Sequence, residues 1–192
     1  SPQGAFNHPA WWIEKLRQDW PAQWQAILAA NNRPPPMTLR VHARRATAAA
    51  YAERLAGLGI AAQALGAPTP QALVLDKAVP VSALPGFAEG LVSVQDAAAQ
   101  LAAPLVVGAG LKPGARVLDA CAAPGGKTAH LLELAGPDGA DVTALDVDAQ
   151  RCERIHQNLQ RIGLAARVAV GDAASPGAWW DGRLFDAILL DA

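Results

Sequence analysis

The chain has 192 residues, room for one ordinary domain or two small ones. With 16 basic and 17 acidic residues its net charge is near −1, which excludes a strongly basic chain that grips nucleic acid by charge alone. Apolar residues make up 52% of it, too many for a disordered tail, although 44 of the 192 are alanines that bury little area each.

In chain order, Trp12, Leu16, Trp20, Trp24 and Ile27 recur every three or four positions, with Trp11 alongside. That spacing predicts helix over the first thirty residues, broken into two near Asp19–Trp20 by Pro21, with these tryptophans packed inside. Asn31 to Pro36 is a stop signal, and Met37 to Val41 alternates as a strand. An alanine-rich helix is predicted over 46–58, ended by Gly59, and short strands over 60–65 and 72–75. Residues 1–85 are therefore expected to be a small α+β subdomain. A boundary at Pro85-Gly86 opens a second domain over 86–192.

Within that second domain a helix is predicted over 93–107. A regular alternation follows: strand 116–119, helix 126–134, strand 141–145, helix 148–162 stopped by Gly163, and strands 166–170 and 185–190. Carboxylates stand at the strand ends, as Asp119, Asp146, Asp172 and Asp191. Alternating strands and helices predict a doubly wound, Rossmann-like parallel sheet whose site lies at the carboxyl ends of the strands. Residues 1–96 carry net charge +2 and residues 97–192 carry −3. Arg40, Arg44 and Arg45, in the basic half, are read either as phosphate contacts or as a solvated face.

Two cysteines, Cys121 and Cys152, make no disulfide framework and fit a reducing, cytoplasmic setting. No run of 18 apolar residues points to a membrane span, and the opening residues lack the order of a secretory signal. His8, His42, His130 and His156 show no metal-ligand spacing, so no metal is expected. The chain opens on Ser1 rather than methionine, as a piece of a longer protein would.

The informative stretch runs from Val117 to Thr128: a strand, a turn of small residues, then a helix. Small residues let a ligand approach the backbone, and the helix start offers N–H groups to an anionic group. Three cofactor readings compete. A phosphate-binding loop needs Gly-x-x-x-x-Gly-Lys-Thr; Gly126-Lys127-Thr128 fits its end, but its first glycine falls at Cys121. A dinucleotide fingerprint needs Gly-x-Gly-x-x-Gly, which Ala122 to Lys127 does not supply. A nucleoside cofactor without a phosphate chain, such as S-adenosylmethionine, needs the close turn and a carboxylate at the end of the next strand. Asp146, twenty residues beyond Gly126, suits that role.

The string Ala120-Cys-Ala-Ala-Pro-Gly-Gly-Lys-Thr128 resembles the cofactor motif of the RNA 5-methylcytosine methyltransferases, the Fmu/Sun/NSUN group. Asn7 to Trp12, Pro35 to Arg40, Gly90 to Asp96 and Phe185 to Ala192 resemble further segments of the same family, nearly end to end. The resemblance implies methyl transfer from S-adenosylmethionine to carbon 5 of a cytosine in small-subunit ribosomal RNA. It implies that Cys121, Ala122, Ala123, Pro124, Gly125, Gly126 and Lys127 wrap the methionine and ribose of the cofactor. Asp146 would bind the ribose hydroxyls, Asp172 would sit by the adenine, and Asp191 would stand near the methyl group and base. The small subdomain would be of RNA-binding type.

Plainer roles stand beside these. Asp119 can end a strand or order the glycine turn, Asp172 can serve an ordinary Gly-Asp turn, and Lys127 can be a solvated lysine. Cys121 is read as a small packed residue. In the family, Asp-Ala is followed by Pro-Cys, and a second cysteine attacks carbon 6 of the base. Both would fall beyond Ala192, so no catalytic residue is assigned and this chain by itself is expected to be inactive. The strand over 185–190 is expected to be an uncovered apolar edge that favours self-association. A P-loop nucleotide hydrolase and a non-catalytic RNA-binding module remain the alternatives.

Overall fold

Residues 2–136 and 139–191 are described by the computed structural model. Ser1, Pro137, Asp138 and Ala192 lie outside the described residues, and with them the outer limits expected for the two domains.

Ile13, Leu16 and Leu28 form the dry centre of a first unit that ends at Pro36. Its helices are α1 (Pro2–Phe6), α2 (Ala10–Asp19) and α3 (Trp24–Asn31). The predicted break at Pro21 falls between α2 and α3. Trp12 and Trp24 pack against the cluster, and Phe6 meets the Trp24 ring edge-on at 4.9 Å. Trp11 and Trp20 do not pack as expected: they are 70% and 52% exposed. The α2 face that buries Ile13 and Leu16 turns Trp11 outward, and Trp20 lies just past the helix end.

The second unit, Met37–Ala192, contains two sheets. The first is antiparallel with order β2-β3-β1-β4: β1 (Thr38–Val41), β2 (Ala62–Ala64), β3 (Ala72–Leu75) and β4 (Val92–Val94). Helix α4 (Ala48–Ala56) starts where the Thr47 hydroxyl accepts the Ala50 N–H at 3.1 Å. Its Tyr51 and Leu55 pack with Leu39, Val41, Leu73 and Val92 into one apolar core.

Strand β4 corrects the helix predicted over 93–107. Val92 and Val94 are β-branched and alternate, and they pair with β1 in the register Leu39↔Val94 and Arg40↔Ser93. Helical structure begins only after Asp96, whose carboxylate accepts the Ala98 N–H at 2.8 Å. A short 3₁₀ turn over Ala99–Leu101 then leads into α5 (Ala102–Gly108). The first sheet thus runs past the boundary expected at Pro85-Gly86, and residues before Met37 belong to the separate first unit.

The second sheet is parallel with order β7-β6-β5-β8: β5 (Ala115–Ala120), β6 (Ala140–Asp146), β7 (Arg167–Val170) and β8 (Ala187–Leu190). All four strands match the predicted alternation. Helix α6 (Gly126–Ala135) follows β5, and α7 (Ala149–Ile162) follows β6. On α7 the spacing of Cys152, Ile155, Leu159 and Ile162 makes one buried stripe. Asp148 caps it by accepting the Gln150 and Arg151 N–H groups, and Gly163 ends it with φ +76°. β8 is an edge of this sheet among the described residues, with Ile188 and Leu190 exposed, as expected.

Arginines stitch the two sheets together. Arg161 on α7 donates to the Phe87 and Val92 carbonyls at 2.6 and 3.1 Å and to Ser93 Oγ at 3.0 Å, with its guanidinium over the Phe87 ring. Arg45 donates to the Ile162 carbonyl at 2.8 Å. The backbone passes α7 closely at Gly90: a Cβ there would lie 2.5 Å from Ile162 Cα, and its φ is +73°. Both features call for glycine.

Candidate functional site

The cleft lies at the carboxyl end of β5, where the parallel-sheet rule places ligands. It has a volume of about 640 Å³ and is lined by Gln95, Asp119, Cys121, Lys127, Arg151 and Asp191, with the backbone of the turn between them. An adjoining hollow of about 360 Å³ shares Cys121 and Arg151 and adds Asp146, Val147, Gly171 and Asp172.

The turn from Cys121 to Gly126 is fixed from behind, amide by amide. The Ala122 N–H donates to the Leu145 carbonyl at 2.9 Å, the Ala123 N–H to Asp146 Oδ2 at 3.1 Å, and the Gly125 N–H to the Ala122 carbonyl at 2.7 Å. Its carbonyls are held by three side chains. Arg151 donates to Ala123 at 3.0 Å, Asn158 to Pro124 at 2.7 Å and Arg40 to Gly126 at 2.9 Å. Cys121 takes φ +61° and so occupies a glycine-like conformation. Gly125 has φ +92°, and a Cβ on it would press on Ile155 at 3.0 Å. Gly125 is buried against α7 behind the turn, whereas Ala122, Ala123, Pro124 and Gly126 face the cleft.

Of the four strand-end carboxylates, Asp146 is buried at the end of β6. Oδ2 takes the Ala123 N–H, and Oδ1 takes the Asp148 N–H at 3.2 Å with Arg151 Nη1 at 3.4 Å. It organises the turn and still borders the hollow. Asp172 faces the same hollow from beyond β7. Its carboxylate accepts the Ala174 N–H at 2.9 Å, and its carbonyl accepts Trp179 Nε1 at 2.8 Å. Asp191 lies across the cleft in an ion pair with Lys127, which is therefore not a freely solvated lysine.

Asp119, at 1% exposure, accepts the Thr128 hydroxyl at 2.5 Å. Burial pushes its carboxyl up to about 6, Asp191 adds to the rise, and Thr128 and Lys127 oppose it. Asp119 both borders the cleft and ties the strand end to the first turn of α6.

Several participants were not assigned to the cofactor site in the sequence. Gln95 and Arg151 line the cleft, and Asn158 and Arg40 hold the turn. For Arg151 and Asn158 the signal was their place on α7, on the side that leads back to the turn. Arg40 overturns both readings given to it: it is fully buried, neither a phosphate contact nor part of a solvated face. Its strand is one of the two inner strands of the first sheet, buried on both faces, so an alternating pattern gave no warning. Cys152 is buried beneath the sheet end, and burial pushes its thiol up, away from the reactive thiolate. Among the described residues no group of three or more His, Cys, Asp and Glu side chains is placed to hold a metal ion.

A parallel sheet whose first turn is built of small residues, with a carboxylate at the next strand end, is a Rossmann-like architecture suited to a nucleoside-containing cofactor. Comparison with known proteins narrows the class. The family profile for the RsmF/B-like ferredoxin-like domain matches residues 8–82, and that for 16S rRNA methyltransferase RsmB/F matches residues 109–192. The chain is 50% identical over 185 residues to ribosomal RNA small subunit methyltransferase B of Pseudomonas syringae pv. tomato, covering 96% of this chain and 40% of that one.

Among solved structures, PH0851 superimposes with a TM-score of 0.84 at 27% identity, over 99% of this chain and 42% of that one. A methyltransferase homolog from Pyrococcus horikoshii gives 0.79 at 26% identity, over 99% of this chain and 61% of that one. Both profiles and the curated relatives are of RsmB/F-type methyltransferases, and it is these that the chain resembles. The chain spans about 40% of the length of the curated relatives it matches.

Proposed function

We propose that this chain holds the S-adenosylmethionine site of an RNA methyltransferase that acts on carbon 5 of a cytosine in small-subunit ribosomal RNA. The observation that carries the cofactor part is the charge of the cleft. Asp119 and Asp191 line it, Asp146 and Asp172 line the hollow that continues it, and the two cations of the lining, Lys127 and Arg151, are already engaged by Asp191 and Asp146. Such a lining has both its cations already paired when a nucleotide's phosphate chain approaches, and it suits a nucleoside that carries a sulfonium and an ammonium group. This weighs against the P-loop reading, even though Cys121 takes up a glycine-like backbone.

The residues present fit the cofactor. Asp146 Oδ2 accepts one backbone N–H and keeps a second lone pair for a ribose hydroxyl, while Oδ1 is shared between the Asp148 N–H and Arg151. Asp172 borders the same hollow, at the place the adenine would take. The turn from Cys121 to Lys127 brings small side chains and the α6 N-terminus to the methionine part. When bound, S-adenosylmethionine supplies an electrophilic methyl group on sulfur. The chain's own residues orient it: the turn shapes the pocket, Asp146 and Arg151 hold the turn, and Asp119 fixes the start of α6.

The target rests on the matching family profile and on relatives named as ribosomal RNA small subunit methyltransferases. A ribosomal RNA substrate goes with a cytoplasmic setting, and among the described residues no helix is long and apolar enough to cross a membrane. Calorimetric titration of S-adenosylmethionine into the chain tests the reading. Binding that Asp146→Ala weakens by about tenfold or more supports it. Stabilisation by a nucleoside triphosphate, with none by S-adenosylmethionine, refutes it.

A further inference from the structure

The small antiparallel lobe reaches into the cofactor turn through one side chain. Arg40 leaves β1, an inner strand of that lobe, and is fully buried. Its Nε and Nη2 donate to the two oxygens of Glu133 on α6, at 3.3 and 2.6 Å. Its Nη1 donates to the Gly126 carbonyl at 2.9 Å and to Gln95 Oε1.

All the donors of this planar fork used here point at the start and the third turn of a single helix, or at the Gln95 amide on the cleft wall. The Gln95 oxygen is taken by Arg40, so its Nε2 donor end is the one turned toward Gly126 and the cleft. Gln100 Nε2 closes the arrangement by donating to the Leu39 and Gln95 carbonyls. His130, fully buried on α6, is held neutral by burial and by the charge of Arg40. Glu133 therefore gains no positive charge from His130, and Arg161 is a further cation that feels it.

We infer that Arg40 is a positioning residue for the cofactor turn: from the small lobe it fixes the Gly126 carbonyl and the Gln95 amide, so that the lobe sets the shape of the pocket. This deepens the proposed cofactor site and rests on it for function. The geometric claim stands apart and can be tested without cofactor.

Two variants separate positioning from plain stability. Arg40→Met/Glu133→Met replaces the buried pair with apolar side chains of similar volume, an exchange cores often tolerate. Arg40→Lys keeps the charge for Glu133 but loses the fork that reaches Gly126 and Gln95 together. Amide hydrogen exchange on the cofactor-free 192-residue chain is the readout. The Gly125 and Ala129 amides, bonded to the Ala122 and Gly125 carbonyls, report on the turn, and Val117 and Leu118 of β5 report on the core.

In both variants the turn amides are expected to exchange about tenfold faster or more while the β5 amides stay near wild type. Turn amides that exchange as in wild type, or that accelerate only as much as β5, overturn the inference. A parallel titration with S-adenosylmethionine is expected to show affinity weakened by about tenfold in both variants. Loosened turn amides in a chain whose wild type binds no S-adenosylmethionine would leave the positioning role standing and remove the cofactor reading. Loosened turn amides with unchanged affinity would overturn the claim that the lobe shapes the pocket.

Discussion

Asp119 and Thr128 meet at 2.5 Å across the turn that joins β5 to α6, both of them buried. A strand-end carboxylate and the first turn of the next helix are thereby one unit, and the cleft is built on it. The bond also sets a titration, because the Asp119 carboxyl is held at about 6 instead of its usual 3.8, chiefly by burial.

The protonated form of Asp119 is the one the fold prefers. Its contribution to stability is complete below the ordinary carboxyl pKa and is lost as pH rises through 6. Asp119→Asn keeps an acceptor for Thr128 and cannot ionise. Relative to wild type, the variant is expected to gain up to about 3 kcal/mol between about pH 4 and pH 7. Urea unfolding across that range measures it, and parallel profiles for the two proteins would count against the shift.

Arg40 and Glu133 form a buried pair whose halves depend on each other. Arg40→Met alone leaves a charged Glu133 without a partner and is expected to cost about 3–5 kcal/mol. Adding Glu133→Met should recover most of that loss. A double-mutant cycle by urea denaturation reads the coupling, and simple additivity of the two losses would contradict it.

Gly90→Ala should be among the most damaging small substitutions in the chain. The new Cβ would meet α7 backbone at 2.5–2.7 Å, and the residue would keep φ +73°. The left-handed backbone and the clash together are expected to cost about 2–4 kcal/mol. Gly59→Ala shares the positive φ but meets nothing within 4 Å, so it should cost only about 1–2 kcal/mol. Equal losses in thermal unfolding would show that the contact with α7 is not as close as described.

Ile188 and Leu190 project from β8, and Leu184 before it is 81% exposed. Among the described residues β8 is a sheet edge with unpaired backbone beside apolar side chains, which invites pairing with another chain. Sedimentation of the 192-residue chain is expected to show association that grows with concentration and that Ile188→Lys reduces. A monomer at every concentration would refute this.

The parts of the fold legible in the sequence were those where one local signal sufficed. Helix α7 announces itself by Asp148, by the stripe from Cys152 to Ile162 and by Gly163. The turn from Cys121 to Lys127 shows in its small residues, and the strand-end aspartates mark the ends of β5, β6 and β7. Strand β4 was obscured because its short β signal, Val92 to Val94, is followed after Gln95 and Asp96 by alanines that favour helix; its partner β1 lies more than fifty residues earlier.

Arg40 was illegible for a different reason. A charged residue in an alternating strand reads as solvent-facing, and only the approach of Glu133, 93 residues away, makes its burial tolerable. The exposure of Trp11 was hidden likewise, since helical spacing alone places several tryptophans on one face without saying which of them the short helix α3 can cover.

The central claim is that the cleft at the end of β5 takes S-adenosylmethionine. Calorimetric titration into the wild-type chain and into Asp146→Ala tests it most directly. The account predicts one-to-one binding that the substitution weakens by about tenfold or more, roughly 1.4 kcal/mol. Binding of equal strength to both proteins, or none to a wild-type chain that unfolds cooperatively, would contradict it.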